Sequence, residues 1–213
     1  MHIYAFGSVC RGEVDVSSDI DMLAIVDGYD SRFNPSDYSV YSYERINDLW
    51  GQGNPFAWHL FLESKMVYSQ DDVDYLQSIG EPGTYKSGIT DCEKFREIFL
   101  SAKKSIDSSA LTEIFDLSSV FLAVRNFATC YSLHAGKAPD FSRNSAKNLS
   151  IYSIPIDDPT YSLFERARVL CTRGLGEILS PAEIDKAKIT LNEIDSWMIE
   201  ILEIIKNGIY GRV

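Results

Sequence analysis

Four positions near the start of the chain have residue types that suit phosphate and metal chemistry. Asp19 and Asp21 are separated by one residue at the start of an apolar segment, and alternation along a strand points both carboxylates to one face. Two oxygen ligands that converge there suit Mg²⁺, which binds one or two protein carboxylates together with water and phosphate oxygens. Gly7 and Ser8 end the preceding apolar segment and open a short helix, whose backbone N–H groups favour phosphate. The pattern predicts a phosphate and metal site.

Asp19 and Asp21 lie at the start of a segment that is otherwise apolar. Ile20 and residues 22–26 predict a buried strand, and no lysine lies nearby in the sequence to compensate Asp19 and Asp21. Like charges held close together are costly unless a cation joins them. A bound cation is therefore a better interpretation than a solvated acidic turn.

The spacing of these residues resembles a known signature. Phe6-Gly7-Ser8, ten residues and then Asp19-Ile20-Asp21 resemble the polymerase-β-type nucleotidyltransferase superfamily. The similarity is greatest to its minimal bacterial branch, in which an Arg-Gly pair and a Ser just before the first Asp are common. The resemblance implies transfer of a nucleoside monophosphate, most simply AMP from ATP, to an acceptor hydroxyl. It also implies the roles of the site residues, with Asp19 and Asp21 catalytic and binding Mg²⁺, and nucleotide bound by Gly7, Ser8, Arg11 and Ser18.

One part of the family's site is not evident in the sequence. The family takes a third carboxylate from the next strand, but the strand predicted here, 38–43, has no acid at its centre. Asp37 and Glu44 flank this strand, but neither aligns convincingly with the family's third carboxylate. A carboxylate of the helical half, such as Glu113 or Asp116, is an alternative, and so is a site that binds nucleotide but transfers poorly.

Charge and composition bear on the partner. The chain has 213 residues and a net charge of −11, which disfavours nucleic acid because phosphate contacts need clustered Lys and Arg. We expect a small molecule, cationic by preference, or a protein as the acceptor. The alternative function is an antitoxin-like or regulatory protein that uses this fold to bind a partner, with little or no transfer. A homodimer or a toxin partner is compatible with either function.

The first part of the chain predicts a small α/β unit. Strands are expected at 2–6, 19–27 and 38–43, with a short edge strand at 66–69. Helices are expected at 7–14, 44–50 and 56–65, the last with apolar residues at helical spacing.

The rest of the chain predicts an all-α bundle. We place a nucleotidyltransferase domain at 1–75, a polar linker with several Gly and Pro at 76–91, and a helical bundle at 92–213. Its helices are expected at 93–105, at 111–135, from Asp140 with Ser142 as N-cap, at 160–173, and at 180–206. An active site in a cleft between the two parts would be consistent with this division.

The helical half carries a weaker resemblance of its own. Arg125-Asn126-Phe127, Ser142-Arg143-Asn144 and Phe164-Glu165-Arg166 resemble the C-terminal helical domains of aminoglycoside adenylyltransferases and related HEPN-type bundles. The HEPN ribonuclease pattern requires an Arg and a His about five or six residues apart on one helix. Arg125 and His134 are nine apart, which disfavours ribonuclease chemistry.

His59 invites a catalytic role, but a structural histidine on a helix packed against the sheet is the better interpretation. Glu63 and Lys65 are expected to be a solvated helix end. The aromatic residues around them are expected to belong to the core: Trp50, Phe56, Trp58 and Phe61.

Location is predicted from composition. No apolar run approaches the roughly 20 residues that span a bilayer, and no signal pattern is present at the first residues. The four cysteines are scattered without Cys-x-x-Cys spacing, which indicates free thiols in a reducing compartment. We expect a cytoplasmic protein.

Overall fold

The computed structural model describes residues 1–14, 20–108, 111–136 and 139–208. Two of the predicted site residues, Ser18 and Asp19, lie outside these described residues. The chain divides into two compact units, Met1–Lys86 and Ser87–Val213. The first contains a small mixed sheet with helices and the second contains long packed helices, so the predicted fold class is confirmed.

The sheet of the first unit has four strands in the order β3-β2-β1-β4. Its strands are β1 (His2–Phe6), β2 (Asp21–Val26), β3 (Ser39–Ser42) and β4 (Ser64–Ser69). β1 pairs antiparallel with both β2 and β4, whereas β2 and β3 run parallel. The two central strands are therefore the ones that carry Phe6 and Asp21 at their facing ends.

Alternation along the central strands separates the two faces of the sheet. Tyr4 and Phe6 of β1 join Leu23 and Ile25 of β2 in one apolar cluster with the helices of the unit. Ala24 and its neighbours pack on the opposite face. The expectation that Trp50, Phe56, Trp58 and Phe61 all belong to the core is wrong for Phe61, which is 39% exposed.

Four helices complete the first unit: α1 (Ser8–Arg11), α2 (Tyr43–Gly51), α3 (Pro55–Glu63) and α4 (Tyr75–Ser78). Ser42 caps α2 by accepting a hydrogen bond from the Arg45 backbone N–H, and Asn54 caps α3 by accepting one from Phe56. Proline at the first position of α3 suits a helix start.

The residues after β4 fold back onto this unit. The Tyr4 hydroxyl donates to Asp74 Oδ1 (3.0 Å) and accepts from the Leu76 backbone N–H (3.1 Å). The Trp50 indole N–H donates to the Gly80 carbonyl oxygen at 2.8 Å, and that of Trp58 donates to the Gly83 carbonyl oxygen at 3.2 Å. Residues 76–86 of the predicted linker accordingly lie in the first unit.

The second unit is built from α5 (Gly88–Ser108), α6 (Glu113–His134), α7 (Asp158–Arg173), α8 (Pro181–Ile189) and α9 (Leu191–Lys206). α6 is its central helix, with buried residues all around its circumference. α5 and α7 pack against α6, and α9 packs against α5.

Two predictions for the helical half are wrong. The segment from Asp140 forms turns and a 3₁₀ turn at Ser150–Tyr152. Side chains of α6 hydrogen-bond its backbone instead: the Arg125 guanidinium donates to the Phe141 carbonyl oxygen at 2.7 Å, and the Thr129 hydroxyl donates to that of Asp140 at 2.8 Å. The helix expected at 180–206 is divided at Thr190 into α8 and α9.

Among the described residues, no helix combines the length and the apolar character needed to cross a membrane.

A glycine pair at the end of α2 tests how closely the segment at 80–84 packs. Gly53 has a φ of +61°, and a Cβ there would overlap the Gly83 carbonyl oxygen and the Thr84 backbone. Gly53→Ala should lower the free energy of unfolding by about 3 kcal/mol, since backbone strain and a clash add. Gly51→Ala is the matched control, because its Cβ meets nothing within 4 Å. It should leave stability unchanged or raise it by up to about 1 kcal/mol. Equal effects of the two substitutions in urea denaturation would contradict the packing described.

Candidate functional site

The turn after β1 lies directly against the first residue of β2. Phe6 and Asp21 are register partners, and Gly7 follows with a φ of +78°. A Cβ on Gly7 would lie 2.7 Å from Asp21 Oδ2 and would displace that carboxylate, and the positive φ separately favours glycine. The sequence-predicted residues Gly7 and Asp21 are thus brought together.

α1 is a single helical turn that begins beside this contact. Ser8 is its first residue, and the backbone N–H groups of Cys10 and Arg11 both donate to the Gly7 carbonyl oxygen, at 3.0 and 3.3 Å. Gly12 ends the turn in the left-handed conformation at φ +77°. The loop from Gly7 to Gly12 therefore starts at the Asp21 carboxylate and has a defined backbone.

A second acid, Asp37, lines the same groove as Asp21. It belongs to the turn before β3, where its backbone N–H donates to the Asn34 carbonyl oxygen at 2.9 Å. The two acids line one open groove of about 480 Å³, together with Ser36, Tyr38 and Ser39. The sequence left Asp37 without an alignment because the parallel pairing of β2 with β3 cannot be read from it.

The atoms of this groove that could bind a metal ion are carboxylate, hydroxyl and carbonyl oxygens, which are the ligands that Mg²⁺ prefers. Within the described part of the chain, no group of three or more His, Cys, Asp or Glu side chains is assembled to hold a metal ion. Asp19, the other predicted ligand, is outside that part. The residues that are described fit a Mg²⁺ ion that keeps water and phosphate oxygens as further ligands.

Arg11 is held by two carboxylates at the end of α1. Its Nε donates to Glu13 Oε2 at 2.8 Å, and its Nη1 donates to Glu63 Oε2. Glu63 also lies 3.0 Å from His59 Nε2 on the same helix, and the His59 ring packs edge-on against Phe6. The expectation that Glu63 is solvated is wrong, because its side chain is only 13% exposed.

The charges of Glu13 and Glu63 bear on the pKa and the role of Arg11. Burial works against the guanidinium charge, but its hydrogen bonds and ion pairs with Glu13 and Glu63 outweigh burial and raise the pKa of Arg11 above its ordinary value. Arg11 is therefore already paired and contributes to the site by fixing the end of the loop. The sequence suggested a solvated role for Glu63, although the i, i+4 spacing of His59 and Glu63 already placed the two on one face of a helix.

Cys10 lies in the same loop. Its thiol donates to the Ala5 carbonyl oxygen at 3.3 Å, and burial raises its pKa, which disfavours the thiolate. The four cysteines form no disulfide bond.

The other acids considered from sequence have surroundings of their own. Glu44 is exposed in the first turn of α2, and Glu113, in the second unit, pairs with Lys188. Asp116 is buried in the same unit, beside a pocket between α5 and α6. Arg125 binds backbone carbonyl groups at 141 and 142, which is a structural role.

Comparisons of the chain with protein-family models, with curated proteins and with solved structures find no match.

The cluster around Arg11 provides a prediction with an internal control. Glu63→Gln should lower the free energy of unfolding by about 2 kcal/mol, because it removes a charge-assisted bond to a buried guanidinium. Glu13→Gln removes the other partner of the same Arg11, but that side chain is 51% exposed. Its cost should be about 0.5 kcal/mol. Urea denaturation of both variants measures the difference, and a larger cost for Glu13→Gln would refute the assignment of Glu63 as the principal partner.

Proposed function

We propose that the chain is a Mg²⁺-dependent nucleotidyltransferase that transfers a nucleoside monophosphate, AMP from ATP, to a hydroxyl group of a small molecule or a protein. The observation that carries the proposal is the apposition of the Gly7 turn and the Asp21 carboxylate, where a Cβ on Gly7 would lie 2.7 Å from Asp21 Oδ2. A phosphate-binding turn and a metal-binding acid must be adjacent in such an enzyme, because the ion bridges the protein and the phosphates.

In this proposal each residue of the loop has a role. The backbone at Gly7 and Ser8 would bind the β- and γ-phosphates, and Ser18 would add a hydroxyl beside them. Asp19 and Asp21 would hold Mg²⁺, which when bound offsets phosphate charge and stabilises the displacement. Arg11, fixed by Glu13 and Glu63, would keep the end of the loop in place.

Asp37 is the best candidate for the third carboxylate. Its support is the groove that Asp37 lines together with Asp21. The acceptor hydroxyl oxygen would form a bond to the α-phosphorus while the bond from that phosphorus to the bridging oxygen breaks. Pyrophosphate would leave, and the hydroxyl proton would pass to the Asp37 carboxylate and then to water.

The class of acceptor and the location follow from charge and thiols. A net charge of −11 supports a small molecule or a protein in preference to nucleic acid. Four free cysteines support a reducing compartment, and a cytoplasmic location is part of the proposal.

Nucleotide binding tests the proposal directly. Calorimetric titration of non-hydrolysable ATP and GTP analogues with Mg²⁺ should give saturable binding to the wild type. Asp19→Asn and Asp21→Asn should weaken it at least about tenfold, since a lost charged contact is worth 1.5–3 kcal/mol or so. Asp27→Asn, exposed beyond the opposite end of β2, is the control and should bind as the wild type does.

The same titration distinguishes the alternative function. If the folded wild type binds neither analogue, or Asp21→Asn binds as well as the wild type, the chain is not a Mg²⁺-dependent nucleotidyltransferase. An antitoxin-like or regulatory protein with this fold would then be the better description, and its partner would be sought by co-purification.

A second pair of variants isolates the contact that carries the proposal. Gly7→Ala and Gly12→Ala both place a side chain at positive φ, but only the first adds an atom against Asp21. Gly12, at ψ 12°, is left-handed helical, and its substitution should cost about 1–2 kcal/mol of stability. Gly7, at ψ −144°, lies in a region that is nearly exclusive to glycine, and its substitution should cost about 1–3 kcal/mol. Only Gly7→Ala should weaken nucleotide binding, by about tenfold or more, because it displaces the carboxylate. Equal binding by the two folded variants would contradict the role of the Gly7–Asp21 contact.

A further inference from the structure

A pocket lies between α5 and α6 in the second unit, where neither the predicted site nor the proposed reaction involves it. Its volume is about 440 Å³. Apolar and acidic side chains share its lining, among them Glu97, Ile98, Ala102, Phe115 and Asp116.

Asp116 is an unusual side chain to find there. It is 4% exposed, and its Oδ2 is buried without a hydrogen-bond partner among the described residues. A buried carboxylate is normally paired with a cation or with hydrogen-bond donors, because removing its charge from water is costly. Because Asp116 lines the pocket and its Oδ2 has no hydrogen-bond partner among the described residues, a positively charged group bound in the pocket would compensate the carboxylate.

The other polar groups of the pocket do not supply that partner. The hydroxyls of Ser101 and Ser119 donate to carbonyl oxygens of their own helices, at 2.9 Å to Glu97 and at 3.0 Å to Phe115. Glu97 adds a second carboxylate, and Lys94 is the one cation among the lining residues that the structure describes. The lining therefore has a net negative charge, which attracts a cation.

The apolar part of the lining restricts the kind of cation. Phe115, next to Asp116 in sequence, is 64% exposed, and an aromatic ring attracts ammonium groups as well as apolar surface. Ile98 and Ala102 offer aliphatic contacts to the body of a ligand. A hydrated metal ion would leave these surfaces unused, whereas an organic ammonium uses both kinds of surface.

We propose that the pocket between α5 and α6 binds an organic primary amine, with its ammonium group on Asp116 and its apolar body against Ile98, Ala102 and Phe115. The proposal goes beyond nucleotidyl transfer and does not depend on it, since all the residues that carry it belong to the second unit. A negative result in the nucleotide titration would leave this proposal standing. A negative result in the amine titration would likewise leave the proposed nucleotide site standing.

The test uses two probes of matched shape, 2-phenylethylamine and the uncharged 2-phenylethanol. Ligand-observed NMR titration of the full chain at neutral pH should show saturable binding of the amine and at least about tenfold weaker binding of the alcohol. Asp116→Asn is nearly identical in shape to the wild type. It should weaken binding of the amine by at least about tenfold and leave binding of the alcohol unchanged. Glu200→Gln, exposed on α9, is the control and should bind both probes as the wild type does.

A second variant keeps the test decisive if Asp116→Asn does not fold. Ser119→Leu enlarges a half-buried lining residue and should block the amine by filling the pocket. Absence of saturable amine binding to the wild type would overturn the proposal. So would unchanged amine binding by folded Asp116→Asn or, if that variant does not fold, by folded Ser119→Leu. A gain in stability of Asp116→Asn without any change in amine binding would assign Asp116 a purely structural role.

Discussion

The contact between the Gly7 backbone and the Asp21 carboxylate constrains the whole candidate site. Antiparallel pairing of β1 with β2 sets Phe6 opposite Asp21, so the residue after Phe6 must pass the carboxylate at close range. A side chain at that point would displace either the acid or the turn. α1 begins at this contact between the Gly7 backbone and the Asp21 carboxylate, and the loop runs from it to Gly12. The open groove lies beside the same Asp21.

Charge pairing extends the constraint from the loop to α3. Glu63 is a largely buried carboxylate between the Arg11 guanidinium and the His59 ring. Because a buried charge is stable only with partners, each member of this cluster fixes the positions of the others. The end of the loop is thereby joined to a helix that packs on the sheet, and a single guanidinium links a surface turn to the core of the unit.

Asp116 shows the opposite situation in the second unit. It is only 4% exposed, yet its Oδ2 has no hydrogen-bond partner among the residues described. Asp116 thus differs from Glu63 in how its charge is accommodated. In the first unit the partner of Glu63 comes from the chain, and in the second an external cation would complete the pairing of Asp116.

The sequence by itself determined the class of fold and the positions of Gly7 and Asp21, because alternation, helical spacing and turn residues are local properties. The tertiary structure decided what distant segments bring together. Asp37 lines the same groove as Asp21 only in the folded unit, and Glu63 is largely buried where it meets Arg11. The residues after Asp140 form turns because α6 side chains bind their carbonyl groups, and a propensity for helix cannot anticipate such partners.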